Sequence, residues 1–179
     1  MDSKELIVQI VDHFKAPFLL VHTCQSETGR KEYEGFKNGY TTFSYDESLS
    51  VAREVKLDPN QIFFRCPQDL LVFDTDTEES YNMLKEFLKD RSLYNRACVT
   101  KSFSAIMNRE LKYKRHFFFK CLPEDRERFN DKFNGRVSLN GCDVFSNGWG
   151  IAESVFNRID FNNIPAIEFK QVKKIFTLF

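Results

Sequence analysis

The stretch Leu70-Leu71-Val72-Phe73-Asp74-Thr75-Asp76-Thr77 constrains this chain more than any other. An apolar run of that length, bounded by polar residues, reads as a buried strand, and it delivers two acids to its end. Side chains alternate faces along a strand, so Asp74 and Asp76 point the same way if the extended geometry persists through Thr75. Carboxylates held so close repel, and the repulsion is relieved by a divalent cation or by one acid taking up a proton. The same residue types also end strands and cap helices, so these eight positions alone fit a metal site or a structural cap equally well.

At 179 residues, 42% hydrophobic and 29% charged, the chain has the size and balance of one globular folding unit, expected to span residues 1–179. No apolar run reaches the length of a membrane span, so no membrane partner is expected. Met1-Asp2-Ser3-Lys4-Glu5 lacks the basic start and apolar middle of a signal peptide, and an intracellular location is expected. Lys plus Arg and Asp plus Glu are 26 each, which removes any global electrostatic case for a polyanionic partner and leaves only local basic patches. The five cysteines are scattered and without a Cys-x-x-Cys pair, which argues for reduced core thiols over a disulfide framework or zinc ribbon. The 20 Phe residues call for a core to hide in, or bases to stack on.

Helical and strand-like segments alternate. Leu6, Ile7, Ile10, Val11 and Phe14 share a helical face ended by Pro17; Phe18 to Val21 reads as a strand, and Ser44-x-x-Glu47 opens a second helix with Leu49, Ala52 and Val55. Ile62 to Arg65 and Leu70 to Asp74 are expected to pair as a hairpin, and Thr77 to cap a helix carrying Tyr81, Leu84, Phe87 and Leu88. Strands are expected at Ala97 to Val99, Arg115 to Lys120, Asp143 to Phe145 and Ala166 to Phe169, with a surface helix or loop from Pro123 to Asn134. The pattern predicts an α/β (α+β) fold with a mixed sheet, and puts the acids at a strand-to-helix junction, where α/β proteins commonly bind ligands.

Two further constellations carry chemistry. In Lys112-Tyr113-Lys114-Arg115-His116-Phe117-Phe118-Phe119-Lys120, period two puts Lys114 and His116 on one face and Arg115 on the other, so adjacent groups able to hold phosphate oxygens share a side. The plainer alternative makes His116 a hydrogen-bonded strand residue and the bases a solvated rim. In Gly141-Cys142-Asp143-Val144-Phe145, an acid between apolar residues is costly to bury without a cation or donors, so Asp143 is a candidate third carboxylate, or else the start of a hairpin turn. Three carboxylates can hold Mg²⁺ or Mn²⁺ ions that activate a 3′-hydroxyl and neutralise an incoming nucleotide's phosphates, while a His and Lys grip the triphosphate.

The order of Asp74-x-Asp76 after an apolar strand, Lys114 to Phe119 with its His, and a lone Asp143 before a Gly-rich turn resembles the catalytic core of the archaeo-eukaryotic primase superfamily. The closest likeness is to the prim-pol domains that begin helicase-primases of large DNA viruses and mobile elements, over roughly Ile62 to Ser154. The resemblance implies an RRM-like half and a smaller α/β half, with Asp74, Asp76 and Asp143 as metal-binding acids and His116 as the nucleotide-phosphate residue. It implies a DNA primase-polymerase acting on a single-stranded DNA template with nucleoside triphosphates, beside a helicase domain in the same or a partner chain. The family often has Ser two places before the His; this chain has Lys114, itself able to contact phosphate. Lys101, Arg109, Lys112, Lys114, Arg115 and Lys120 crowd His116 and could bind triphosphate or template backbone, and Tyr113 and Trp149 could stack on bases.

Two other functions compete. Asp143 followed by Glu168-Phe169-Lys170 has the acid order of a metal-dependent nuclease, a weak signal that leaves Asp74-x-Asp76 unused. A catalytically silent nucleic-acid-binding module, RRM-like with aromatics on its sheet, is the other, although no RNP-type run of Gly and aromatics occurs.

Overall fold

The computed structural model describes residues 18–25, 31–34, 60–94, 98–132, 135–146, 148, 150–154, 157 and 160–179. The helices expected near Leu6 and Ser44, and Trp149, lie outside these residues. In chain order the elements are β1 (Phe18–Gln25), β2 (Lys31–Glu34), β3 (Gln61–Arg65), β4 (Leu70–Thr75), α1 (Glu78–Lys89), β5 (Cys98–Lys101), α2 (Phe103–Met107), β6 (Arg115–Cys121), α3 (Arg126–Lys132), β7 (Arg136–Leu139), β8 (Cys142–Phe145), β9 (Gly150–Ser154), β10 (Ala166–Ile167) and α4 (Phe169–Phe176). The class is mixed α+β. The chain divides into two compact units, Met1–Arg65 with Gly150–Arg158, and Cys66–Trp149 with Ile159–Phe179.

The first unit contains an antiparallel four-stranded sheet in the order β2-β1-β3-β9. Phe18, Val21, Ile62, Phe64 and Ile151 are buried in it. Its polar groups are matched: the Asn60 side chain accepts from the Thr23 N–H and donates to the Thr23 carbonyl, both at 2.8 Å, and the Thr23 hydroxyl donates to Gln61.

The second unit is built round β4, whose neighbours are β6 and β8, both antiparallel. β5 and β10 border β6, β10 in parallel, and β7 closes the far edge beyond β8. The chain leaves β4, crosses through α1 and returns as β5, antiparallel to β6 and hence parallel to β4, with β6 lying between them. That is a split β-α-β unit, and β8 takes the position on the other side of β4. One face of this sheet carries Leu71, Phe73, Phe117, Phe119 and Val144, packed with Leu84 and Leu88 of α1 and Val172 and Ile175 of α4. The Phe73 and Phe119 rings meet edge to face, 82° apart at 5.9 Å. Side chains buried this fully contribute about 1.5–3 kcal/mol each, so this face dominates the stability of the unit.

Helix α1 begins because Thr77, in extended conformation, accepts the Ser80 N–H at 3.1 Å while Ser80 Oγ accepts the Thr77 N–H at 3.3 Å. Glu78 and Glu79 in its first turn and Lys89 in its last complement the helix dipole.

Several expectations need correction. β3 and β4 do not form a hairpin: β3 pairs with β1 and β9, in the other sheet. The strand expected at Ala166 to Phe169 stops at Ile167, because Glu168 caps α4 and Phe169 is its first residue. The short strands β2 and β7 were not anticipated, β2 lying in the polar stretch Gln25 to Glu34 that reads as a loop. None of the five cysteines is in a disulfide; Cys66, Cys121 and Cys142 are buried, as expected of core thiols, whereas Cys24 and Cys98 are half-buried. Among the described residues no helix is long and apolar enough to cross a membrane.

Candidate metal and nucleotide site

On the sheet face away from α1 and α4, one row of side chains runs across five strands. Asp74 is directly opposite His116 on β6 and directly opposite Asp143 on β8. Thr100 of β5 stands beyond His116, and Ser138 of β7 beyond Asp143. In an antiparallel sheet the end of β4 meets the beginnings of β6 and β8, so residues late in one strand and early in the other two converge. Asp74 does lie near the carboxyl end of β4, at the strand-to-helix junction expected from the sequence.

The Asp74–Asp76 pair behaves as its spacing requires. The β4–β8 ladder continues one step past Thr75, with the Asp76 N–H donating to the Gly141 carbonyl at 2.9 Å. Thr75 points to the other side, where its hydroxyl donates to the Tyr113 carbonyl at 2.7 Å and pins the approach to β6. Capping of α1 falls to Thr77 and Ser80, so neither Asp74 nor Asp76 serves as the helix cap.

Each acid faces a base. His116 Nε2 lies 3.5 Å from Asp74 Oδ1, with 7% and 21% of the two side chains exposed. Lys114 Nζ is 2.7 Å from Asp76 Oδ1, and Arg136 Nη2 is 2.5 Å from Asp143 Oδ2. Burial nevertheless pushes the Asp74 carboxyl above the usual carboxylate range; His116 and Lys114 act against that, and the charges of Asp76 and Asp143 add to it. The joint negative field also reaches Cys142, whose thiol is pushed up by burial first and then by Asp74, Asp143 and Asp76. Three carboxylates therefore share one neighbourhood.

Oxygen donors of this kind suit a hard divalent cation, and the burial of the Asp74 carboxylate, which His116 and Lys114 offset only in part, is a cost that such a cation would reduce. Among the described residues no three or more His, Cys, Asp or Glu side chains are gathered as a ready-made cage. The acids are instead directed toward Lys114, His116 and Arg136, so a cation would have to displace those partners.

The basic residues divide. Lys114 and His116 belong to the acid side. Arg115 and Lys101 are paired with each other across β5 and β6, in register with Thr75, and so belong to the helix-covered side; Arg115 Nε donates to the Lys112 carbonyl at 2.7 Å. Period two in the sequence already separated Arg115 from His116, and the structure brings neither Arg115 nor Lys101 to the acids. Phe117, Phe118 and Phe119 are wholly buried and offer no face to a base, and Tyr113 contributes its carbonyl. The Glu168-x-Lys170 pair has a local role: Glu168 caps α4 and pairs with Lys170 at 2.7 Å.

Sequence reasoning missed two residues of this site. Arg136 is one; the signal that could have found it is Asn140-Gly141, a strong hairpin dipeptide between short alternating runs. Gly141, within the Asp143 segment, is the other, in that its role was not seen. Its φ of +72° suits glycine, and a Cβ there would lie 2.5 Å from Thr77 Oγ1, so only glycine lets the β7–β8 turn approach the helix cap.

No family model matches the sequence, and no curated protein matches it.

Proposed function

We propose that this chain is a metal-dependent nucleotidyltransferase, a DNA primase-polymerase domain of the archaeo-eukaryotic type, using nucleoside triphosphates on a single-stranded DNA template. The observation that carries this reading is the cross-strand row in which Asp74 has His116 on one side and Asp143 on the other. Support for the fold comes from the split β-α-β order, β5-β6-β4-β8, with the acids on the face opposite α1 and α4. A helicase domain in this or a partner chain would supply the opened template.

Asp74, Asp76 and Asp143 would hold Mg²⁺ or Mn²⁺. Bound there, such ions would supply activation of a primer 3′-hydroxyl and charge neutralisation of the incoming triphosphate. The chain's own groups do the positioning. His116, held beside Asp74, offers a ring N–H to a phosphate oxygen, and Lys114, once Asp76 is engaged elsewhere, offers its ammonium to the same group. The low exposure of His116 and Asp74 limits water at that point and strengthens these contacts. Lys101 and Arg115 are left out of the nucleotide site.

Labelled nucleotide incorporation on single-stranded DNA, with and without a primer, in Mg²⁺ and in Mn²⁺, tests the proposal. Metal-dependent product supports it, and product without primer makes the domain a primase. Retained DNA binding without product would favour the silent binding module, and template degradation the nuclease.

A further inference from the structure

Arg136 has no role in the reading above, yet its guanidinium lies 2.5 Å from one of the three acids. It stands on the edge strand β7, in register with Phe145 of β8, which places it on the same sheet face as Asp143. Its side chain is 45% exposed while that of Asp143 is 14% exposed, so the pair reaches from a solvated rim inward to the acid row. A largely buried carboxylate needs a partner, and Arg136 supplies one from the rim. Lys114 holds the same relation to Asp76 on the opposite side of the row. Thus Asp143, across the sheet from Asp74, and Asp76, two places along its strand, each hold a long, flexible base, while Asp74 faces the shorter His116.

We propose that Arg136 is a phosphate-binding residue of this site, kept on Asp143 until a divalent cation takes that carboxylate. This rests on the nucleotidyltransferase reading and adds to it a residue and an order of events. Without a cation, Arg136 neutralises Asp143. If a cation took that carboxylate, the released guanidinium would stand beside it, and its planar fork of donors fits two oxygens of a triphosphate bound to that cation. Cation and Arg136 therefore compete for Asp143, whereas triphosphate and Arg136 attract.

Opposite signs in two binding measurements test this. Mn²⁺ binding is measured by electron paramagnetic resonance without nucleotide, and binding of a fluorescent nucleoside triphosphate is measured in saturating Mn²⁺ without template. Arg136→Gln should bind Mn²⁺ at least as tightly as the parent and the triphosphate about tenfold more weakly or worse. Arg136→Lys should recover part of the triphosphate affinity, and Arg128→Gln, an equal charge change on α3, should alter neither. Unchanged triphosphate affinity in Arg136→Gln would overturn the proposal, leaving a plain ion pair. A parallel loss of Mn²⁺ and triphosphate would also overturn it, since Arg136 would then only position Asp143. A parent that binds no Mn²⁺ removes the nucleotidyltransferase reading and this inference together, whereas failure confined to the Arg136 variants removes the inference alone.

Discussion

Asp74 and Asp143 stand directly opposite each other on adjacent antiparallel strands, two acids where cross-strand like charges are destabilising. Arg136 pairs with Asp143, and His116 and Lys114 offset the neighbouring carboxylates at Asp74, but burial still holds the Asp74 carboxyl above its ordinary range. The direction of that shift implies that a neutral residue at position 74 would stabilise the sheet at neutral pH.

That relation sets the pH dependence. A carboxyl raised in the folded state adds stability while it is protonated, below its unfolded value near 4, and that stability is lost as pH rises through the folded value. Asp74→Asn, which mimics the protonated acid, should melt higher than the parent at pH 7–8, with the gap closing toward about pH 4. In a chain of this length each ~1 kcal/mol relieved reads as about 2–4 °C. A variant melting lower at neutral pH would show that attraction to His116 outweighs burial.

Thr77 and Asp76 should separate cleanly in urea titrations. Thr77→Ala removes the cap of α1 and should cost about 1 kcal/mol. Asp76→Ala breaks an exposed pair with Lys114 and should change stability by less than about 1 kcal/mol. The reverse ranking would make Asp76 a structural residue.

Gly141→Ala should destabilise by about 1–3 kcal/mol, since it combines a left-handed backbone with a clash against Thr77. It should also lower metal affinity, because the Gly141 carbonyl holds the Asp76 N–H. Equal stability to the parent in thermal melts would show that the turn can move without cost.

His116→Ala should weaken triphosphate binding about 10–100-fold, the worth of a charge-assisted hydrogen bond, and leave single-stranded DNA binding nearly unchanged. Fluorescence anisotropy with each ligand separates the two, and equal losses would remove His116 from the nucleotide site.

Strand β4, the capped helix after it, β6 and β8 were all legible in the sequence, because apolar runs, the Thr77 cap and period two are local signals. Period two also foretold that His116 and Arg115 part ways. What could not be read locally was pairing. Nothing in Ile62 to Arg65 says that it prefers β1 and β9 to the nearby β4, since that choice depends on chain far away in sequence. Arg136 was missed for the same reason: its meaning comes from Asp143 across the hairpin, and an isolated Arg on a polar strand looks like solvated rim.

The most direct test of the central claim compares the parent with Asp74→Asn and Asp143→Asn, each shown to be folded by circular dichroism, in nucleotide incorporation on primed single-stranded DNA in Mn²⁺. The account predicts product from the parent that disappears with chelator, and a loss of at least about 100-fold in both variants, with an equal or higher melting temperature in Asp74→Asn. Parent product that persists in folded Asp74→Asn and Asp143→Asn proteins, or no metal-dependent product from the parent at all, would contradict it.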